Sequence, residues 1–571
     1  MSPRLTHSYV EVHMQEIIKH FNKNEIIQEI QAKTKARDNI YINNTNEDNA
    51  LLVLLSLYKK LNQTIFLVTP NLYTAQVLYD KLSLILDKDE INFYPQDEFL
   101  TNELLVSSHE FRLERINTIE KLISNKPRIV VCNLYGVLKP QFEKDTWQEA
   151  IFEIKKGKTY DLHKLKERLI NYGYHHQYTV EKIGDFAIRG GILDIFPIHS
   201  DNPYRLDFFG DELDVIKTFD LDTQRSIEQI ESFQVTPMTD FFYSDEDYKT
   251  LEKKVLKKLE DLSLSVDAKN MVLNDLDKLK NRDELDRLSR YLPFMTKNHT
   301  TILDLVDDGH AFFLDYHRIL QQNDILIEEI KEWYMETNDY TKLSFNLLYD
   351  FLEVDRIHSI KVDYLDYFYQ EKFPNTYSIF GESITTYNEN LEYFFNDLEK
   401  YENKYTQIIA FQDEKYMKEF KKILKNKSID FVSKNSIEKN ALNLILEKKA
   451  FNIHSRTFET KIITEEALRK RSIQRKRGDY ISVYKRSTKL SGINDLKPGD
   501  YVVHYHYGIG KFIEIKAMTF GQQETDYITI EYLNKDRVYI TLDAIDQIHK
   551  YSASEGYKPK LSKIAGNAWK K

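Results

Sequence analysis

The first 150 residues alternate short apolar runs with stretches whose apolar residues recur at helical spacing. Runs of strand length occur at 40–42, 65–68 and 128–132, and residues 50–61 form a helical run between the first two. Strand–loop–helix repeats of this kind are typical of a parallel sheet covered by helices. The pattern therefore predicts an α/β domain in this part of the chain.

Residues 183–226 follow a different pattern, in which short strands are separated by turns. A glycine pair at 190–191 interrupts one apolar run, as a bulge or tight bend does. Pro197 ends a strand because it has no N–H to donate to a ladder. Residues 204–208 then alternate between apolar and polar side chains. This pattern predicts a β-rich domain.

Two arginines, Arg189 and Arg205, recur on this predicted sheet beside an aromatic residue, Phe209. From the residues alone two interpretations stay open. The arginines pair with nearby carboxylates on a solvated face, or they bind an acidic partner. The nearby carboxylates are those of Asp185, Asp194 and Asp207.

The remaining regions have simpler patterns. Residues 236–345 are mostly helical, and residues 345–455 alternate strands and helices as a second, smaller α/β unit does. Residues 495–550 contain short strands separated by glycine and asparagine turns, which predicts a small all-β barrel.

The composition excludes several classes of protein. The chain has 571 residues with only 12 prolines and 17 glycines, so several globular domains are expected. Its net charge of -10 argues against a nucleic-acid-binding coat over the whole surface. One cysteine, Cys132, forms no intrachain disulfide. No apolar run reaches the length of a membrane span, so we expect a cytoplasmic protein without a membrane partner.

The loop after the first predicted strand is where a nucleotide-binding domain carries its phosphate cradle. Such a cradle needs glycines and a Lys-Ser/Thr pair, but residues 43–49 read NNTNEDN and contain two acids. The strand at 311–314 leads into Asp315-Tyr316 rather than an acidic pair. We therefore expect an ATPase-like fold without hydrolysis, with no catalytic residue and no bound cofactor. His504 and His506 lie two apart on a predicted strand, but no cysteine or second histidine pair lies near them, so we expect no metal site.

One strongly basic run lies between Lys461 and Lys489, with ten basic and three acidic residues. It is either a solvated linker or a tether that contacts nucleic acid or an acidic partner. The candidate nucleic-acid contacts are Arg469, Lys470, Arg471, Arg475, Lys476 and Arg477.

A family resemblance rests on ordered motifs within residues 183–226. These motifs are Gly184-Asp185-Phe186, Arg189-Gly190-Gly191, Asp194-Ile195-Phe196-Pro197, Pro203-Tyr204-Arg205, the run from Phe208 to Glu212 and the run from Thr223 to Ser226. The stretch resembles the sheet domain shared by UvrB and the transcription-repair coupling factors. The resemblance implies that this domain is inserted into a degenerate P-loop-type α/β domain and binds UvrA. The positions that match the family's contact residues are Arg189, Arg205 and Phe209.

A second resemblance covers the C-terminal module. Residues 498–504, Gly508-Ile509-Gly510 and residues 538–540 resemble the polymerase-interacting domain that coupling factors share with CarD regulators. The resemblance implies a Tudor/SH3-like β-barrel that binds the β subunit of RNA polymerase through an edge strand. The candidate contacts are Ile513, Ile515 and Met518. Ile513 and Ile515 could instead fill the barrel.

Residues 559–571 resemble the segment that leads into the DNA-translocating motor of coupling factors. In the full-length family that motor uses ATP and Mg²⁺ and makes the main DNA contacts, and we expect no motor motif in this chain. The resulting hypothesis is the non-motor docking portion of a coupling factor, acting as a monomer and not as an enzyme. The alternatives are a CarD-like polymerase regulator and a UvrB-like damage-recognition ATPase.

The predicted fold is multidomain α/β: a degenerate P-loop-type, UvrB-like domain with an inserted β-rich domain, a second small α/β domain and a C-terminal Tudor/SH3-like β-barrel. The predicted parts are the UvrB-like domain at 1–150 and 236–345, the inserted β-rich UvrA-binding domain at 151–235, the small α/β domain at 346–455, a basic linker at 456–494, the polymerase-interacting barrel at 495–555 and the lead-in to the motor at 556–571.

Overall fold

The computed structural model describes residues 11–96, 109–282, 289–336, 360–469 and parts of 487–561, with short gaps inside these ranges. The chain divides into two compact units, Met1–Lys470 and Arg471–Lys571. Among the helices described, none is long and apolar enough to cross a membrane.

The helices are α1 Glu11–Phe21, α2 Glu25–Lys35, α3 Glu47–Leu61, α4 Leu72–Ser83, α5 His109–Ile123, α6 Leu134–Leu138, α7 Lys144–Ala150, α8 Leu162–Asn171, α9 Asp245–Asp261, α10 Val266–Asn281, α11 Tyr316–Glu336, α12 Leu391–Lys400, α13 Glu414–Asn426 and α14 Glu465–Leu468. Two short 3₁₀ helices span Ser289–Phe294 and Ile302–Leu305.

The strands of the first unit are β1 Tyr41–Asn43, β2 Thr64–Thr69, β3 Ile91–Tyr94, β4 Ile129–Asn133, β5 Phe152–Lys155, β6 His175–His176, β7 Asp185–Arg189, β8 Ile192–Ile195, β9 Tyr204–Phe209, β10 Glu212–Phe219, β11 Ser226–Ile230, β12 Ser232–Val235, β13 Gly309–Leu314, β14 Lys361–Leu365, β15 Thr376–Ser378, β16 Gly381–Glu382, β17 Thr406–Phe411, β18 Leu442–Leu446, β19 Ile453–Ser455 and β20 Thr460–Thr464.

The second unit contains β21 Ser487–Lys489, β22 Tyr501–His504, β23 Gly508–Phe520, β24 Gln523–Glu531, β25 Arg537–Thr541 and β26 Ile548–Tyr551.

A seven-stranded parallel sheet with the order β15-β1-β14-β13-β2-β4-β3 forms the centre of the first unit. Its central strands, such as β2 and β13, are buried at every position, because helices and apolar clusters cover both faces. This explains why these strands are continuous apolar runs rather than alternating ones. The prediction of a mixed α/β fold with several sheets is confirmed.

The seven-stranded sheet extends past residue 345, where the sequence pattern had ended this domain. Strand β14 lies between β1 and β13, with Tyr364 opposite both Tyr41 and Phe313. Strand β15 pairs with the outer side of β1. The predicted boundary therefore falls before two strands of the first sheet, because their pairing is with partners distant in sequence.

The inserted domain is a six-stranded sheet with the order β11-β10-β9-β8-β7-β6, antiparallel except for the β6–β7 pair. One face of this sheet packs with Leu165 and Leu169 of α8. The residues that this inner face contributes to the core are Phe186, Leu193, Ile195, Leu206, Leu213 and Ile216. Because side chains alternate along a strand, the intervening residues lie on the opposite face.

A five-stranded sheet with the order β16-β19-β20-β17-β18 forms the smaller α/β part. Strand β20 continues it to Thr464, past the predicted start of the basic linker at residue 456. In the second unit six antiparallel strands have the order β21-β26-β22-β23-β24-β25. Within the part of this unit that the structure describes, no pairing joins β21 to β25, so the sheet order is open and barrel closure stays a prediction.

Candidate functional site

The outer face of the inserted sheet carries the predicted residues. Cross-strand register places Arg189 beside Ile192, and Ile192 beside Asp207. One row further along the strands, Asp194 lies beside Arg205. We call this surface the outer face, and its residues are Arg189, Ile192, Asp194, Arg205, Asp207, Phe209, Val215 and Lys217.

Asp194 joins the two arginines. Its carboxylate is buried, and Arg189 Nη2 donates to Oδ2 at 2.5 Å. Arg205 donates from Nε to Oδ1 at 2.7 Å and from Nη2 to Oδ2 at 2.9 Å. This bidentate geometry is typical of strong guanidinium–carboxylate pairs, and the hydrogen bond to Asp194 raises the pKa of Arg205. The two guanidinium groups are thus held side by side.

Of the three carboxylates that the sequence offered as partners for the arginines, the structure pairs both guanidinium groups with Asp194. Asp185 instead accepts the backbone N–H groups of residues 181 and 182. Asp207 pairs with Lys217 at 3.1 Å. The interpretation that the arginines pair with nearby carboxylates therefore holds for one carboxylate, Asp194. Arg189 remains partly exposed in this pair.

Phe209 lies at the end of β9, beside the turn at Gly210, whose φ is +62°. Its ring is 85% exposed, although a phenylalanine in a folded domain usually packs in a core. The β7–β8 turn lies at the same end of the sheet, because Phe208 N–H donates to the carbonyl oxygen of Gly191. An exposed aromatic side chain therefore lies on the same face as the paired arginines, beyond the row that holds Arg189 and Asp207.

Gln224 is a member of this site that the sequence reasoning missed. It has a left-handed backbone with φ of +57°, and its Oε1 accepts from Arg205 Nη2 at 3.2 Å. The guanidinium carbon of Arg205 also lies 4.4 Å from the ring centre of Phe219. The available signal was the Thr223 to Ser226 motif, whose role the sequence alone did not reveal.

The N-terminus of α3 corresponds to the predicted position of a phosphate cradle, and the chain's own groups fill it. Asn46 caps the helix by accepting from Asn49 N–H, and its Nδ2 donates to the carbonyl of Glu382 at 3.1 Å. Asn49 Nδ2 donates to the carbonyl of His454 at 3.2 Å. At Gly381 a Cβ atom would lie 2.6 Å from Asn46 Oδ1, so a glycine is needed for this close approach.

The two acids of the same loop are also engaged. Lys81 lies 3.0 Å from both Glu47 and Asp48. Burial raises the pKa of Asp48 despite this lysine. The helix end therefore presents acidic side chains and protein hydrogen bonds where a phosphate-binding loop presents free N–H groups.

In the second unit, Ile513, Ile515 and Met518 all lie on β23. Ile513 is at a register shift between Phe512 and Glu514, as in a β-bulge. Ile515 is 41% exposed and lies opposite Ile528, whereas only the strand position of Met518, opposite Thr525, is described.

Within the described residues of the second unit, one edge of β23 carries no strand pair beyond its first residues. Strand β22 pairs with β23 only as far as Lys511, and Gly499 and Asp500 exchange hydrogen bonds with Phe512. From residue 513 onward, the described strand pairs are all with β24. The other side of this segment is a strand edge within the described part of the unit.

The predicted basic run is divided by the structure. Lys461 is buried in β20 and pairs with Asp397. Arg469 donates to Glu465 at 2.7 Å, and its guanidinium carbon lies 4.2 Å from the ring centre of Tyr416. These two residues belong to the folded five-stranded part rather than to a linker. The other candidates, Lys470, Arg471, Arg475, Lys476 and Arg477, lie outside the described residues.

Comparison with protein families and curated proteins matches both candidate regions. Residues 152–241 match the UvrB interaction domain, and residues 496–552 match the CarD-like/TRCF RID domain. Three of the similar curated proteins are transcription-repair-coupling factors. Those of Bacillus subtilis (strain 168) and Staphylococcus aureus (strain bovine RF122 / ET3-1) are 26% and 28% identical to this chain, and each alignment covers 90% of it. That of Staphylococcus haemolyticus is 26% identical over 93% of it.

The matched regions cover 45% of the first two relatives and 47% of the third, so the chain spans less than half the length of the curated proteins it matches. The outer face lies inside the UvrB interaction domain, and the open edge of β23 lies inside the CarD-like/TRCF RID domain. Through these two domains and over nearly its whole length, the chain is similar to the transcription-repair-coupling factors.

Proposed function

We propose that this chain is the docking portion of a transcription-repair coupling factor. It binds UvrA through the outer face of the inserted sheet and the β subunit of RNA polymerase through the second unit. The observation that carries the proposal is the outer face itself, where two guanidinium groups and an 85% exposed phenylalanine lie together inside a UvrB interaction domain. Both partners act on DNA in the cytoplasm, which is where we place the chain.

The outer face has the chemistry of a protein-binding hot spot. Arginine and large aromatic residues contribute most of the binding free energy in many interfaces. Arg189 is partly exposed and can pair with an acidic group of UvrA while Asp194 holds it in place. Phe209 would bury its exposed ring in a pocket of the partner. The contact combines charge pairing with apolar burial.

The Phe209→Ala variant tests this function. We expect it to weaken UvrA binding by about 30-fold, because truncating a hot-spot aromatic typically costs about 2 kcal/mol. The fold should not change, because the exposed ring contributes little to the core of the domain. The measurement is a titration of the 571-residue chain with UvrA, without ATP.

A matched control is Tyr178→Ala, which removes another aromatic ring that is 85% exposed in the same domain. The outer-face proposal expects UvrA affinity close to that of the unchanged chain for this variant. Equal affinity of the Phe209→Ala chain and the unchanged chain would contradict the proposal. UvrA binding that is absent altogether, with polymerase binding retained, would favour the CarD-like regulator instead.

For RNA polymerase we propose that the open edge of β23 receives a strand of the β subunit. An exposed strand edge supplies backbone donors and acceptors, and neighbouring side chains add specificity. Residues 513–520 pair on one side only within the described part of the unit. We also propose that the six strands close into the Tudor/SH3-like barrel, with Met518 as a further contact.

The Ile515→Glu variant should lower polymerase affinity by at least about tenfold, because it places a charge in the apolar part of the contact. Ile515 is already 41% exposed, so the second unit should remain folded. The affinity is measured as binding of the chain to RNA polymerase core enzyme immobilised on a surface. The same substitution at Ile227, which is 54% exposed in the inserted domain, should leave it unchanged. Equal loss for both variants would refute a specific role of the β23 edge.

We further propose that this chain itself neither binds nor hydrolyses ATP. The filled N-terminus of α3 supports this, because the positions that would face a phosphate hold Asn46, Asn49 and the 381–382 segment. ATP and Mg²⁺ would act in a motor region such as that of the full-length family. Nucleic-acid contact by the basic segment after Arg469 remains a proposal that the charge pattern alone supports.

A further inference from the structure

The outer face contains a buried carboxylate, that of Asp194, which has no assigned role in the proposed docking of UvrA. Asp194 lies on β8 between β7 and β9, with Ala187 on one side and Arg205 on the other. A buried carboxylate is costly unless it is hydrogen-bonded and paired with positive charge. Here it accepts three hydrogen bonds from Arg189 and Arg205. Its position fixes where both guanidinium groups can lie.

A second side chain, that of Gln224, also contacts the guanidinium group of Arg205. Gln224 Oε1 accepts a hydrogen bond from Arg205 Nη2, the same atom that donates to Asp194 Oδ2. The turn that carries Gln224 is itself held in shape, because Thr223 donates from its N–H and hydroxyl groups to Asp220 at 2.8 and 2.7 Å. Gln224 N–H donates to the Asp220 carbonyl, and its Nε2 donates to the Leu221 carbonyl. Gln224 is therefore a fixed acceptor.

We propose that Asp194 and Gln224 are positioning residues of the UvrA-docking surface. They hold Arg205, and Asp194 also holds Arg189, in the orientation that meets an acidic group of the partner. This inference rests on the proposed binding of UvrA. It also gives a role to the Asp194-Ile195-Phe196-Pro197 and Thr223 to Ser226 motifs, which contain no predicted contact residue.

The physical reason is preorganisation. A free arginine side chain loses much of its rotamer freedom when a partner immobilises it, and a side chain that is already fixed avoids that loss. The cluster of Arg189, Arg205 and Asp194 also keeps one net positive charge, since two guanidinium groups face one carboxylate. That remaining charge attracts an acidic group and repels a basic one.

The test is a binding cycle with UvrA. Asp194→Asn keeps the side-chain size but weakens the hold on both arginines, and we expect about a tenfold loss of affinity. Gln224→Ala removes only the second acceptor of Arg205 and should cost a few-fold. In a chain that already carries Arg189→Ala and Arg205→Ala, Asp194→Asn should cause no further loss, because a positioning residue acts through the arginines.

A control and a direct readout complete the experiment. Glu231→Gln removes a carboxylate of the same domain that lies outside the outer face and pairs with Lys156, and it should leave UvrA affinity nearly unchanged. Proton exchange at Arg205 Nε, followed by NMR, should become faster in Asp194→Asn because its acceptor is weakened. The exchange rate reports whether Arg205 has been released. A merely structural role of Asp194 would instead show in the cycle, because Asp194→Asn would then lower UvrA affinity equally with and without the arginines.

The outcomes separate the inference from the function on which it rests. If the double alanine chain binds UvrA as well as the unchanged chain, the proposed function itself is wrong. If the double alanine chain loses binding but Asp194→Asn and Gln224→Ala bind normally, the positioning role is wrong. An equal loss from Asp194→Asn with and without the arginines would also overturn it, because the residue would then act independently of them.

Discussion

Removal of both outer-face arginines is expected to weaken UvrA binding by at least about 100-fold, because two hot-spot residues are lost. Charge reversal, as in Arg189→Glu with Arg205→Glu, would produce this loss, but it would also leave the buried carboxylate of Asp194 without a countercharge. The sharper variant combines Arg189→Ala and Arg205→Ala with Asp194→Asn. It removes the positive charges without leaving a buried charge unpaired.

Titration with UvrA by calorimetry measures the effect, and circular dichroism with urea unfolding checks the fold. The control chain carries Lys253→Ala with Lys257→Ala, which removes two exposed positive charges from α9 outside the matched UvrB interaction domain. It should bind UvrA as the unchanged chain does. Normal binding by the chain that lacks Arg189 and Arg205 would place the UvrA contact elsewhere. Loss of binding by the lysine control would indicate a general effect of net charge.

A large loss of stability is expected from Asp240→Asn, because Asp240 is the centre of a buried ionic cluster. Arg115 donates to its Oδ2 from Nε at 3.1 Å and from Nη2 at 3.0 Å, and Lys139 Nζ lies 3.1 Å away. Arg115 is fully buried on α5, so it cannot recover solvent when its partner changes. Breaking one side of such a buried pair typically costs about 3–5 kcal/mol of unfolding free energy.

The location of this cluster makes the loss informative. Asp240 follows the last strand of the inserted domain, where the chain returns to the α/β domain. Arg115 also donates to the carbonyl of Pro95, next to β3. The cluster therefore fastens the exit of the inserted domain to the first sheet.

The pH dependence of this effect has a defined sign. Burial alone would raise the pKa of Asp240, but the charges of Lys139 and Arg115 outweigh it and hold the pKa well below its usual range. A carboxylate with a depressed folded-state pKa contributes stability above its unfolded pKa of about 3.9 and loses it as the pH falls further. The difference in unfolding free energy between the unchanged chain and Asp240→Asn should be full at pH 7 and shrink below about pH 4.

Urea unfolding from pH 7 to pH 3 measures this difference. Asp307→Asn is the control, because Asp307 pairs with Lys144 at 2.6 Å while its side chain is 74% exposed. An exposed pair of this kind contributes at most about 1 kcal/mol. A loss for Asp240→Asn no greater than that of the control would show that the cluster does not anchor the inserted domain.

Much of the local structure follows from the sequence pattern. Strand β17 coincides with an apolar run of strand length, and α13 follows it with one apolar face that packs in the core. The sequence also predicts that Arg205 and Phe209 lie on one face, because they are separated by an even number of positions along a single strand, β9. Such features depend only on the periodicity of neighbouring residues.

Other features needed the tertiary structure, because they join residues far apart in the chain. The sequence offered three carboxylates for the arginines, and the pairing of strands β7, β8 and β9 selected Asp194. Sequence showed that residues 43–49 lack a phosphate loop, but the filling of that site required Glu382 and His454. Arg115 and Asp240 likewise meet across 125 positions.

The sequence by itself thus predicted many of the elements from local periodicity, and its short motifs revealed the two recognisable domains and, through the family resemblance, the candidate contact residues. The tertiary structure decided which charges are paired, which strands complete the first sheet and where the domains end. Those outcomes depend on non-local strand pairing and on burial, which raises the cost of any unpaired charge. Periodicity along the chain carries no information about either.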